Sequence, residues 1–279
     1  MTYLCIGEPL VEFTTQPDAP DSFTRRAGGD TLNTAIYLSR LIGGGQVGYM
    51  SCLGDDPHSR WLRAAIADEG IDLTHLAEQA GGRPGLSFIT TDHDGERSFS
   101  YWRDQSPFRG HFDDPARTVD LGHVDTIFLS GVALAVLHPE GRANLLRALA
   151  GLRERGAQVV FDTNYRPALW PDADTARRAM TQAAGIASLL LPSLDDIDGC
   201  FGIADPHAAM AFLMTLTPAE IVLTTGGGPV LHRAQHTAAS DSHALPLAVA
   251  ALDTTGAGDS FNAAWMAARG NGASVADSV

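Results

Sequence analysis

The sequence predicts an α/β fold in which a mostly parallel sheet is covered by helices on both faces, with a small hairpin set apart from it. Three observations carry this reading. Short apolar runs recur at Tyr3–Gly7, Val47–Leu53, Thr126–Gly131, Gln158–Asp162, Ser188–Pro192 and Glu220–Thr225, each compact enough for a strand buried on both faces. Segments with apolar residues at about 3.6-residue spacing lie between them, as crossover helices require. The passage from Leu86 to Trp102 breaks this alternation with two extended runs around Asp94-Gly95, a favoured hairpin turn.

Tyr3–Gly7 reads as the first strand and not as a signal peptide, because no basic region precedes it and Glu8 and Glu12 follow at once. Residues near Val11–Arg25, interrupted by a Pro/Asp-rich loop at Gln16–Asp21, are available to pair with the later hairpin and make a small β-lid. Thr31–Ile42 is the first long helix, with Leu32, Ala35, Ile36, Leu38 and Leu41 on one face and Gly43-Gly44-Gly45 as its stop. Pro139–Arg155 and Asp172–Ile186 have the same period. In a parallel sheet, ligands gather at the carboxyl ends of the strands, where Gly131, Asn164, Ser193 and Gly226 fall. Ser274-Val-Ala-Asp277 has the character of a capping box that opens a helix, and a C-terminal segment is expected to be missing after it.

The length of 279 residues suits one large α/β domain or two small ones, and 44% apolar with 19% charged residues is ordinary for a globular chain. A net charge of −14 repels polyanions and argues against nucleic acid, while leaving room for a small anion held by a few arginines and backbone N–H groups. Cys5, Cys52 and Cys200 lie far apart without metal spacing, which suits a reducing cytoplasm. No stretch approaches the roughly 18 apolar residues of a membrane helix, and the 10 histidines form no metal pattern.

Asp253-Thr-Thr-Gly-Ala-Gly-Asp-Ser-Phe-Asn262 is the passage richest in chemistry. Gly256 and Gly258 allow a tight turn that presents bare N–H groups to an anion, and the helix beginning there adds its positive end. Asp259 in the first turn is placed either to stabilise the helix dipole or to act on a group beside that anion. Together with Gly28-Gly-Asp-Thr-Leu-Asn33, this passage resembles the two signature regions of the ribokinase-like (PfkB) carbohydrate kinases, and the resemblance spans nearly the whole chain. Gly95-Glu-Arg-Ser-Phe-Ser-Tyr-Trp-Arg103, Leu129-Ser-Gly131 and Phe161-Asp-Thr-Asn-Tyr-Arg-Pro-Ala-Leu-Trp170 resemble the branch acting on the sugar acid 2-keto-3-deoxygluconate.

The resemblance implies a single domain over residues 1–279, of Rossmann-like three-layer αβα form, with β-lid segments near 11–25 and 85–103. It implies an ATP- and Mg²⁺-dependent sugar kinase, with Asp259 as catalytic base and Gly256, Ala257 and Gly258 as the anion hole for the γ-phosphate. Gly29, Asp30 and Asn33 match sugar-binding positions, and Tyr101, Arg103 and Arg166 those that hold the sugar acid. Asn164, Ser193, Thr225, Gly226 and Gly228 fall at nucleotide-binding positions, although glycines replace the basic residues usual after Thr224. Asp196 matches the family's glutamate that acts on magnesium through water, and Asp253 the monovalent-cation loop, with K⁺ as the candidate ion. Homo-oligomers through the lid are expected in such a family.

Physical chemistry supports these roles independently. Phosphoryl transfer passes through a loose transition state, so an enzyme mainly aligns the hydroxyl and stabilises charge on the phosphoryl oxygens. A base then need only take the proton late. A carboxylate on the sugar calls for the planar fork of an arginine, which Arg103 and Arg166 supply unless they are surface residues. Fructokinase, another sugar kinase of this fold and a non-catalytic sugar-binding descendant are the alternatives. A nicotinamide enzyme is disfavoured because no G-x-G-x-x-G follows the first strand.

Overall fold

The computed structural model describes residues 2–16, 19–91, 97–118, 124–245 and 256–279, with backbone alone at 20, 91 and 97. In chain order the first half holds β1 (Tyr3–Ile6), β2 (Leu10–Gln16), β3 (Ala19–Gly28), α1 (Asp30–Ile42), β4 (Val47–Gly54), α2 (Pro57–Asp68), β5 (Leu76–Gln79), β6 (Gly85–Thr91) and β7 (Arg97–Trp102). There follow β8 (Thr126–Ser130), α3 (Gly131–Val136), α4 (Pro139–Glu154), β9 (Gln158–Asp162), α5 (Ala173–Ile186), β10 (Leu189–Leu191) and α6 (Leu194–Phe201). The last elements are α7 (Pro206–Leu216), β11 (Glu220–Leu223), β12 (Val230–Arg233), β13 (Asp241–His243), α8 (Ala257–Gly270) and α9 (Val275–Ser278).

Among the described residues the main sheet has nine strands in the order β13-β12-β11-β10-β9-β8-β1-β4-β5. From β5 to β11 every pairing is parallel, and β12 and β13 close one edge antiparallel. Both faces are covered, which is why the strand sequences read as continuous apolar runs instead of alternating. Ile127, Leu129, Val159, Phe161 and Leu190 point to a core shared with α3 to α7. The intervening Phe128, Val160 and Leu191 point to the opposite core, with Leu32 and Leu38 of α1 and the fully buried Trp265 of α8.

A second sheet of four strands, in the order β3-β2-β6-β7, stands apart. Its centre is the parallel pair β2 and β6, flanked antiparallel by β3 and β7. These are the strands for which the lone hairpin needed partners; its Asp94-Gly95 turn lies outside the described residues. Phe13 stacks on Phe88 at 5.0 Å between ring centroids, and Trp102 meets Phe88 edge-on at 4.8 Å. Trp102 nonetheless remains 61% exposed, so it covers one side of that cluster without being enclosed by it.

The second sheet joins the main body through Gly28 and Gly29, which lead β3 directly into α1. Gly29 has φ 115°, and a Cβ there would lie 2.5 Å from the Glu8 carbonyl oxygen. Only glycine satisfies both demands. Gly29→Ala is therefore expected to lower the thermal-unfolding midpoint by about 5 °C or more, the effect of roughly 2 kcal/mol of backbone strain. Calorimetry checks this, and an unchanged midpoint would show that the Glu8 carbonyl does not close upon this position.

Candidate active site

Two helices present open N-termini where the sheets meet. α1 starts after Gly29 and α8 after Gly256, which has φ 73°, and neither start has a side-chain cap. By contrast α2, α3, α5, α6 and α7 are capped by Asp56, Ser130, Asp172, Ser193 and Asp205. Among the described residues no side chain caps α8, whose first-turn N–H groups and positive end face the cavity. Among the described residues a Cβ placed on Gly258 would meet nothing within 4 Å. Asp30 is the first residue of α1, with Gly29 in the cap position.

Asp259 lies in the first turn of α8 and is 9% exposed. Its Oδ2 accepts from Asn33 Nδ2 at 2.9 Å, and its main-chain carbonyl accepts from Thr34 Oγ1 at 3.3 Å. Burial first, then the neighbouring Asp30, push its carboxyl up to about 7, while the Asn33 hydrogen bond and Arg166 pull it down. A carboxyl poised there is ionised in a substantial fraction of molecules at neutral pH and holds a proton more firmly than an ordinary aspartate.

Around it the C-terminal ends of β9 and β10 contribute polar groups. Asp30 Oδ2 accepts from Asn164 Nδ2 at 2.9 Å. Asp162 accepts from Asn262 Nδ2 at 3.0 Å and from the Asn164 N–H at 3.1 Å. Burial, followed by the charges of Asp196, Asp259 and Asp30, holds the Asp162 carboxyl well above the usual range. Both oxygens of Asp196 are engaged: Oδ2 by Thr163 Oγ1 at 2.8 Å, Oδ1 by the Tyr165 N–H at 2.9 Å and by Arg166 at 3.4 Å. Ser193 Oγ accepts from the Asp196 N–H at 3.1 Å, which makes it the cap of α6.

The two candidate arginines differ. Arg103 is buried and donates from Nε to Glu8 Oε2 at 2.7 Å, with Nη2 on the same oxygen. Glu8 is 2% exposed; burial pushes its carboxyl up against the pull of Arg103. The Arg103 guanidinium also lies 5.5 Å from the ring centre of Tyr101, whose ring stacks on Phe99. Arg166, with its side chain 58% exposed, projects freely beyond its contacts to Asp196 and the Tyr165 carbonyl.

These groups surround a cavity of about 700 Å³ between the sheets. The structure brings Gly29, Asp30, Asn33, Tyr101, Arg103, Asn164, Arg166, Ser193, Asp196 and the Gly256–Asp259 turn to its wall. It does not bring Thr225, Gly226 or Gly228, which turn away after β11 with Thr225 Oγ1 on the Pro229 carbonyl; Thr224 lines the cavity instead. Asp253 lies outside the described residues. Glu8, Glu12, Asp162 and Asn262 line the cavity without having been singled out. Glu8 could have been found from its place just beyond β1, and Asn262 from its position closing the glycine motif.

Among the described residues no three His, Cys, Asp or Glu side chains are arranged to hold a metal ion directly, and no helix is long and apolar enough to cross a membrane. Comparison of the whole chain with known proteins places it in a family. The description "pfkB family carbohydrate kinase" covers residues 3–279, and the chain belongs to that family. It is 36% identical to the 2-dehydro-3-deoxygluconokinase of Dickeya dadantii, over 98% of this chain and 89% of the relative. The enzyme of the same name from Escherichia coli K12 is 32% identical, over 98% and 90%. A PfkB protein from Polaromonas sp. JS666 has the same fold, with TM-score 0.84 and 26% identity over 100% of this chain and 91% of that one.

The raised carboxyl of Asp259 has a stability consequence of definite sign. Between its ordinary value of 3.8 and about 7 the folded chain holds a proton that the unfolded chain has lost, so stability falls as pH rises through this window. The full cost, on the order of 4 kcal/mol for a shift of that size, applies above about 7. Asp259→Asn is accordingly expected to raise the unfolding midpoint at pH 8 and to leave it nearly unchanged at pH 4. A catalytic role for the ionised carboxylate would make kcat/KM rise with pH through about 7, and Asn33→Ala, which removes a group that lowers the Asp259 value, should move that rise to higher pH. A pH-rate profile of both chains checks the shift; a move to lower pH contradicts it.

Proposed function

We propose that this chain transfers the γ-phosphoryl group of ATP to the terminal hydroxyl of 2-keto-3-deoxygluconate, also called 2-dehydro-3-deoxygluconate, giving the 6-phosphate. The observation that carries this reading is the buried Asp259 beside the uncapped α8 N-terminus, in a cavity that the cationic Arg166 enters. The α8 N–H groups of Ala257, Gly258 and Asp259 would receive the phosphoryl oxygens, where developing charge meets a fixed dipole. Gly29, Asp30 and Asn33 would position the sugar hydroxyls, and Asp259 would accept the hydroxyl proton as the new bond forms.

Mg²⁺ would supply charge neutralisation on the nucleotide phosphates. The absence of a three-ligand cluster among the described residues fits an ion carried by those phosphates, with Asp196 reaching it through water. Asn164 and Ser193 are proposed to face the nucleotide. Phe23, Phe99 and Trp102, exposed on the second sheet, support the proposal that two copies meet there.

A neutral sugar is the second reading, favoured by the Glu8–Arg103 pair. That arginine is already neutralised, so discrimination for an acid rests on Arg166. Arg166→Ala should raise KM for the sugar acid by about tenfold or more, the loss of one charge-assisted contact, and leave KM for neutral fructose within about twofold. Asp259→Asn should lower kcat by on the order of 100-fold or more. A coupled kinase assay over sugar acids and neutral sugars decides: faster turnover of fructose by the unaltered chain favours the neutral reading, and unchanged kcat in Asp259→Asn removes the base.

A further inference from the structure

Asp162 is the last residue of β9, 8% exposed, and belongs to a circuit that hydrogen bonds and single turns of α8 and α1 close. From its Oδ2 the circuit runs to Asn262 Nδ2 at 3.0 Å, one helical turn beyond Asp259 on the same face of α8. From its Oδ1 it runs to the N–H of Asn164 at 3.1 Å, and onward from the Asn164 side chain to Asp30 at 2.9 Å. Asp30 and Asn33 are one turn apart on α1, and Asn33 returns to Asp259 at 2.9 Å. The Asn164 backbone is held at φ 26°, a left-handed conformation costly for a residue with a side chain. Its N–H bond to Asp162 is a direct restraint on that conformation.

We propose that Asp162 is a positioning residue for phosphoryl transfer: it ties α8, which carries Asp259, to the Asn164–Asp30 pair, so that the base and the acceptor-binding end of α1 keep one spacing. The inference rests on the reading of Asp259 as the base. The acceptor hydroxyl must lie between Asp259 and the α8 N-terminus, and a displacement of about 1 Å there can cost on the order of 100-fold in rate. β9 is a central strand, paired on both sides with β8 and β10, so Asp162 is anchored to a rigid part of the molecule. Asp196 of α6, Asp259 of α8 and Asp30 of α1 all face Asp162 and, after burial, oppose its ionisation. Its hydrogen-bonding oxygens, not its charge, are therefore the property used. An asparagine in its place accepts from the Asn164 N–H with its oxygen and donates to Asn262 with its amide once the latter turns over.

The test compares Asp162→Ala, Asp162→Asn, Asn262→Ala and the Asp162→Ala/Asn262→Ala double, each followed by kcat, pH-rate midpoint and thermal unfolding. Asp162→Ala is expected to lower kcat on the order of 10- to 100-fold. Asp162→Asn should stay within about threefold with an unmoved pH midpoint, and Asn262→Ala should fall by a factor similar to Asp162→Ala. The double should fall little further than the lower single, since both remove one linkage. A wild-type kcat in Asp162→Ala with only a lowered unfolding midpoint overturns the proposal by reducing the residue to a structural one. So does an Asp162→Asn as slow as the alanine variant, which would require the ionised carboxylate, or a double that multiplies the two losses. If Asp162→Ala does not fold, Asp162→Asn and Asn262→Ala decide by the same values. Asp259→Asn assayed alongside separates the two readings: full activity there refutes the base, whereas its inactivity beside a fully active Asp162→Ala refutes the positioning alone.

Discussion

The hydrogen bond from Asn33 to Asp259 joins the first long helix of the chain to the last, across 226 residues of sequence. It forms because α1 and α8 pack side by side on one face of the main sheet, and both start at its carboxyl edge. Neither helix has a side-chain cap, so the same packing leaves two sets of first-turn N–H groups facing one cavity. Gly29 and Gly256 are needed for this because each holds a positive φ that starts its helix without a capping side chain. The bond thus fixes both the direction of the Asp259 carboxylate and the position of the positive helix end beside it.

That arrangement works against the stability of the chain. Asp259, Asp162 and Glu8 are each buried enough for their carboxyls to rise, and Asp30 and Asp196 stand close by. A fold selected for stability alone would replace such a group with apolar residues. Here the acids are compensated individually: Glu8 by Arg103, Asp196 by Thr163, Tyr165 and Arg166, Asp162 by Asn164 and Asn262. Asp259 has Asn33, Arg166 and the helix end, and its carboxyl, pushed up to about 7, is able to exchange a proton near neutral pH.

The strands beneath the cavity were legible because burial on both faces makes them continuous apolar runs. Gln158–Asp162 coincides with its prediction, and Ser188–Pro192 contracts to Leu189–Leu191. Helix α2 escaped notice although Asp56-Pro57 marks its start, because its buried face is narrow: Ser59, Leu62 and Ile66. Strands β12 and β13 escaped because an antiparallel edge of His232, Arg233 and Asp241–His243 has no apolar run to betray it. At the site, the glycine turn and Asp259 are local motifs and could be read directly. The Glu8–Arg103 pair spans 95 residues, and the Asp162–Asn262 bond 100, so neither leaves a trace in local spacing. Hence two arginines equivalent in sequence proved unequal, one neutralised in place and one projecting.

Burial and the neighbouring Asp30 hold the Asp259 carboxyl poised near neutrality. The most direct test is a carbon-13 NMR titration of the aspartate carboxyls, with the Asp259 signal assigned by its disappearance in Asp259→Asn. A midpoint at about 7 is expected for that signal in the ligand-free protein. A midpoint near 4, the ordinary range for an aspartate, would contradict it.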